Sequence, residues 1–164
     1  MDAKELAEIV AKHERWTIGK PDGVQANLEG ADLADADLYG ACLGMANLKG
    51  ANLRNANLGN ANLHYAILDG ACLFGANLKG AYLTESSAKC ADLAVADLSY
   101  ADLRKANLEG ADLSHANLHA AQLQGANLCT ACVSDADLSD ADLRGVDWAA
   151  TDVYGADFTN SRSS

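Results

Sequence analysis

Ala and Leu recur along this chain at a fixed spacing. From Ala26 the chain reads ANLEG, ADLAD, ADLYG, ACLGM, ANLKG, and the frame runs to ADFTN at 156–160 without insertion. That makes 27 consecutive pentapeptides, here written with i as the middle residue. Position i−2 is Ala in 24 of the 27, and i is Leu in 22, the exceptions being Ala88, Val133, Trp148, Val153 and Phe158. Position i−1 is Asn or Asp in 20.

A period of five suits neither regular element. In an α-helix each Leu would land about 140° from the last, so no apolar face forms. In a straight strand successive Leu would point to opposite sides. Within one unit, Ala-x-Leu is the two-residue alternation of a short strand with both side chains on one side. The other two residues must turn the chain. Repetition then winds a solenoid filled by Ala and Leu. Four corners per coil predict a step of 20, and at that step the i+1 residues read Glu29, Lys49, Asp69, Lys89 and Glu109. In coils about 4.8 Å apart these would form a ladder of opposite charges.

Tandem A(N/D)LXX resembles the pentapeptide repeat family, over about five-sixths of the chain. The resemblance implies an all-β fold, a right-handed quadrilateral parallel β-helix with i and i−2 inward and the other positions outward. With 27 units that is about seven coils and a rod roughly 32 Å long.

The ends differ from the middle. Asp2-Ala-Lys-Glu5 resembles a helix capping box, and Leu6, Ile9, Val10 and His13 follow at helical spacing. The pattern predicts an amphipathic helix over 2–15 that covers the first coil, with Gly19, Pro21 and Gly23 in the link. The expected organisation is a cap and link over 1–20 and the repeat domain over 21–164, ending in the polar tail TNSRSS. At the far end Trp148, Val153 and Phe158 replace Leu and mark either a short self-cap or a homodimer end. One unit, Ser86-Ser87-Ala88-Lys89-Cys90, loses its Leu and is expected to bulge locally.

Charge changes the picture next. The chain carries 12 Lys and Arg against 23 Asp and Glu, a formal net charge of −11. This speaks against direct contact with nucleic acid or an anionic membrane. The longest apolar runs fall short of a membrane span, and the charged N-terminus lacks a signal-peptide core. Five Cys, an odd number, fit reduced thiols in a bacterial-type cytoplasm.

Assigning units to sides places 11 acids and two bases on the two sides that start at Ala31 and Ala36, a net of −9. The other two sides carry seven acids and five bases. Residues 91–164 have a net charge of −8 and residues 1–90 a net of −3. The candidate interaction surface is therefore Asp92, Asp97, Asp112, Asp135, Asp137, Asp140, Asp152 and Asp157. The same Asp could simply follow the repeat's preference at i−1. Met45 and Tyr65 share a corner next to Ile67 and suggest a smaller apolar patch.

Little points to catalysis. A filled solenoid offers flat faces rather than a concave site. His64, His115 and His119 fall at outward positions, and Cys129-Thr-Ala-Cys132 straddles a corner without a second ligand pair. No disulfide, metal or cofactor is expected. The expected function is a non-enzymatic scaffold presenting an acidic face to a protein partner. The alternative implied by the resemblance is a DNA mimic that binds DNA gyrase, as in quinolone resistance, or another DNA-binding protein. The Leu-rich, unbroken frame departs from the Phe-rich, looped pattern of those resistance proteins.

Overall fold

The computed structural model describes residues 1–163; Ser164, the last residue of the polar tail and of the predicted repeat domain, lies outside the described residues. The chain opens with helix α1, Ala3–Thr17. Asp2 caps it by accepting the Glu5 N–H at 2.8 Å, which satisfies one of the free donors of the first turn. Gly19, at φ +68°, ends it. The Gly19 N–H donates to the Trp16 carbonyl at 3.0 Å and the Lys20 N–H to the Arg15 carbonyl at 2.9 Å. With this pair of hydrogen bonds closing its last turn, α1 runs two residues past the predicted end.

From Ala26 on, parallel bridges join residues 20 apart, from Asn27–Asn47 to Asp142–Arg162. One coil is therefore four pentapeptides, as the charge ladder suggested. The expected short strands are absent among the described residues; each side contributes a single bridge at i−1. The reason is the corner. All 27 residues at i+2 have positive φ, and 17 of them are not glycine. Left-handed backbone every fifth residue leaves no room for a longer ladder.

The backbone hydrogen bonds close within this frame. Leu28 N–H donates to the Asn47 carbonyl at 2.7 Å, Gly30 N–H to the Lys49 carbonyl at 2.8 Å, and Asn47 N–H to the Ala26 carbonyl at 3.0 Å. Ala31 N–H donates to the Leu28 carbonyl at 3.1 Å and shuts the corner. Four of a unit's five N–H groups are thus placed, and the fifth goes to a side chain described below.

Ala and Leu fill the middle; Leu43 to Leu78 are at most 1% exposed. The unit at Ser86 does not bulge. Ser87 bridges both Ile67 and Asn107, because losing a side chain leaves the backbone register intact. Its cost appears elsewhere, in the buried Ser86 hydroxyl, which has no partner among the described residues. No helix is long and apolar enough to cross a membrane among the described residues.

The sequence pattern placed His13 in the apolar stripe of α1; the structure gives it a more specific task. It is 0% exposed. Its Nδ1 accepts the Ala26 N–H at 3.0 Å, so Nε2 carries the proton and donates to the Gly44 carbonyl at 2.9 Å. The ring stacks on Trp16 at 5.4 Å. It thereby satisfies backbone groups at the start and end of the first coil, where a preceding coil would have done so. Burial pulls its pKa below the ordinary value of 6.5, against the smaller upward pulls of the Gly44 carbonyl and Glu14. The unfolded chain then holds this proton more tightly. The stability from His13 is complete above about pH 6.5 and falls as the pH drops towards the folded-state value. Urea midpoints should decline on acidification through that range, and His13→Gln should flatten the decline. Parallel pH profiles of wild type and variant would disprove the assignment.

Candidate interaction faces

The fifth N–H of each unit, at i+1, points at the side chain of i−1. All 20 Asn and Asp at i−1 accept it, at 2.8–3.4 Å. This short side-chain turn is why the repeat favours these two residues. It holds for Asn as well as Asp, so it explains the polar slot and not the charge.

Asn brings a further bond that Asp cannot make. Asn47 Nδ2 donates to Asn27 Oδ1 at 2.9 Å, Asn52 to Asp32 at 2.8 Å, and Asn77 to Asn57 at 2.9 Å. Towards the C-terminal end this ladder gives way to carboxylate on carboxylate. Asp92 is bridged directly to Asp112, and Asp137 to Asp157. Like charges opposite one another on neighbouring strands are unfavourable.

The cations deepen the asymmetry. Lys89 pairs with Glu109 at 2.9 Å, Arg104 with Asp102 at 2.6 Å, Lys105 with Glu85 at 3.6 Å and Arg144 with Asp142 at 2.7 Å. All four pairs lie on the sides that start at Ala26 and Ala41. Arg104 holds the Asp102 carboxyl below the usual range, and Arg144 brings Asp142 down to about 2. The two bases on the other sides face rings instead. Arg54 sits 4.2 Å over Phe74 and Lys79 sits 5.7 Å from the Tyr100 ring centre. Among the described residues, none of the 11 acids on those sides has a Lys or Arg within ion-pair distance.

The candidate acids accordingly form two columns. Asp92 and Asp112 lie on one side, with Asp152 beyond Cys132. Asp97, Asp137 and Asp157 lie on the next, with Asn117 between the first two. Asp135 and Asp140 occupy corners, 4.0 Å from His115 and 3.8 Å from His119. Thr159 holds the Asp157 carboxyl below the usual range through its hydroxyl and its N–H. The predicted charge ladder closes only at Lys89–Glu109. Asn47 takes Glu29, while Asp69 takes the Ser87 hydroxyl and the Lys89 N–H.

At the far end Trp148 is half-buried, meeting Phe158 edge-on at 5.8 Å, while Val153 is 44% and Phe158 36% exposed. The last layer beneath them, Leu128, Val133, Leu138 and Leu143, is at most 3% exposed, so the apolar surface at this end is that of Val153 and Phe158 themselves. The patch at Met45, Tyr65 and Ile67 is exposed, and Trp16, His64 and Tyr82 extend it. Tyr82 stacks 6.4 Å from His64. Its signal in the sequence is an aromatic at i−1, where Asn or Asp belongs. The five thiols are free, and no cluster of three His, Cys, Asp or Glu could hold a metal among the described residues.

The family profile described as Pentapeptide repeats matches this chain in 8 copies, over residues 24–44, 45–80, 76–114, 96–135 and 136–162. The chain belongs to the pentapeptide repeat family. It is similar to the solved pentapeptide repeat protein Rfr23 from the cyanobacterium Cyanothece 51142, at 29% identity, covering 72% of this chain and 88% of that one, with a TM-score of 0.49. It is similar to HetL of Nostoc sp. strain PCC 7120, a pentapeptide repeat protein involved in heterocyst differentiation regulation, at 37% identity, covering 85% and 68%, with a TM-score of 0.39. QnrB1, a plasmid-mediated fluoroquinolone resistance protein, is 24% identical over 82% of this chain and 73% of its own, with a TM-score of 0.39. No curated protein matches the chain.

Proposed function

We propose that this pentapeptide repeat protein is a non-enzymatic scaffold whose two acidic sides bind a basic surface on a protein partner. The right-handed, four-sided β-helix implied by the family resemblance belongs to this reading. One observation carries it. Asn meets the backbone need at i−1 as well as Asp, yet Asp stacks on Asp where the acids lack Lys or Arg partners. The sequence there accepts repulsion that Asn would remove, which is the mark of a surface kept acidic for a partner.

The test is the quadruple variant Asp97→Asn, Asp112→Asn, Asp137→Asn, Asp157→Asn. Each Asn keeps the turn bond, so circular dichroism and thermal stability should match or exceed wild type. Affinity capture should recover a basic partner with wild type and lose it with the variant. Equal recovery by both proteins would defeat the proposal.

A second reading makes the ordinary ligand of that partner DNA, the acidic sides standing in for a duplex. The paired columns of carboxylates favour it. Wild type should then inhibit supercoiling by gyrase and the quadruple variant should not; no inhibition and no quinolone protection would end it. We further propose that Val153 and Phe158 seat a second copy of the chain. Light scattering should report a dimer that Phe158→Asp converts to monomer, and a monomeric wild type would refute this.

A further inference from the structure

The end of the rod beneath α1 is only partly closed. The helix buries Leu6 and His13 there, but two sides of the first coil run alongside it and bridge only forward, Asp32 to Asn52 and Asp37 to Asn57. In every interior coil, i−1 donates its N–H to the previous coil, and the carbonyls of i−1 and i+1 accept from it. On the first coil these groups have nothing before them. Among the described residues no group pairs with the N–H of Asp32 or Asp37, or with the carbonyls of Ala34, Asp37 or Tyr39. The Asp32 carbonyl meets only the terminal ammonium of Met1, at a long 3.4 Å.

This bare edge runs along a groove of about 600 Å³. Its inner lining is Leu6 and Val10 of α1 with the half-buried Ala36 and Ala41, and Leu33 and Leu38 lie behind them, already covered by the helix. Four carboxylates line it, those of Asp2, Glu14, Asp32 and Asp37, and no Lys or Arg does. An unpaired sheet edge beside an apolar trough is the arrangement that binds an extended peptide as an added strand. Main-chain bonds give such a complex its affinity, and alternate side chains give it specificity.

We propose that this edge docks an extended, basic segment of a protein partner, which adds to the sides of Asp32 and Asp37 as the coil the rod lacks. The rod's own register defines the segment. Its N–H groups meet the carbonyls of Asp32, Ala34, Asp37 and Tyr39. A small residue and a larger apolar one, two apart, face inward in each unit, against Leu6 and Val10 of α1 and the half-buried Ala36 and Ala41. The residues between them carry Lys or Arg beside the carboxylates. The site is separate from the acidic sides at the C-terminal half and does not depend on the proposal made for them.

The test uses the full chain and a fluorescent peptide of sequence Ala-Lys-Leu-Lys-Gly-Ala-Lys-Leu-Lys-Gly. Binding by anisotropy should be measurable, and the amides of Asp32 and Asp37 should become protected from hydrogen exchange. A peptide N-methylated at both Leu, which loses the donors to the Asp32 and Asp37 carbonyls, should bind at least about tenfold more weakly. A peptide with Glu for Lys should fail likewise. Asp32→Asn with Asp37→Asn keeps the turns and should weaken the Lys peptide alone. No binding, equal binding of the N-methylated peptide, or binding without protection of Asp32 and Asp37 would overturn the proposal. So would protection in the peptide-free protein that grows with protein concentration, which would assign the edge to a second copy.

Discussion

Leu98→Ala is expected to cost about 2–5 kcal/mol of stability, most of what a single substitution can remove from this rod. Leu98 is 0% exposed and sits mid-rod, in the column that the Asn77–Asp97–Asn117 bridges fix between Leu78 and Leu118. The site cannot collapse around the missing methyl groups. Leu98 N–H is held by the Asn117 carbonyl at 2.7 Å and the Asp97 N–H by the Ala76 carbonyl at 3.0 Å, so the coils above and below keep their spacing. The cavity therefore persists and its full penalty applies. Urea unfolding measures it, and Val24→Ala is the control, because Val24 is already 59% exposed and should change stability by less than about 1 kcal/mol. A Leu98 variant as stable as that control would mean that the rod's core is not packed as described.

Gly23→Ala carries the second large effect, about 1–3 kcal/mol from overpacking. A Cβ there would lie 2.6 Å from the Arg15 carbonyl carbon and closer still to the Trp16 backbone. Neither neighbour is a flexible side chain, so the link must pull away from α1. That move breaks the Gly23 N–H bond to Lys20 and the Val24 N–H bond to Lys12, both 3.0 Å. It also loosens the helix that carries His13. Gly44→Ala is the contrast. Its Cβ meets nothing nearer than 3.6 Å and should be close to neutral. Thermal melts and exchange at the Ala26 amide report both variants, and an unshifted Gly23→Ala melt would contradict the close approach.

These two positions show what the sequence made legible and what it left out. The Leu98 column followed from the period of five once the i+1 charges and the family resemblance pointed to a step of 20, because those two numbers decide which side chains share a layer. The N-terminal cap at Asp2 was readable for the same reason, being a local pattern of adjacent residues. Gly23 read only as a chain breaker, since nothing near it in sequence shows that the end of α1 passes over it. His13 read as one more apolar-stripe residue, because its partners Ala26 and Gly44 meet only when the coil closes. The acidic sides were visible as a sum of charges. That the two bases on those sides pair with none of the acids was not, because pairing depends on which neighbour each long side chain reaches. Lys89 turned to Glu109, while Arg54 and Lys79 turned to rings.

The step of 20 also makes the surface a matter of phase. Every residue's side is fixed by its position modulo 20, while the backbone bonds repeat every five. Removing one pentapeptide between Asp97 and Asp112 would leave each remaining unit a partner to bond with, so the rod would close up almost unharmed. Yet everything beyond the cut would turn by a quarter revolution. Asp137 and Asp157 would leave the Asp97 column for the neighbouring side, and the acidic sides would be offset by one side at the cut. In this molecule, foldability and surface pattern are carried by two different periods of the same sequence, so a lineage could rewrite what the rod displays without paying in what holds it together.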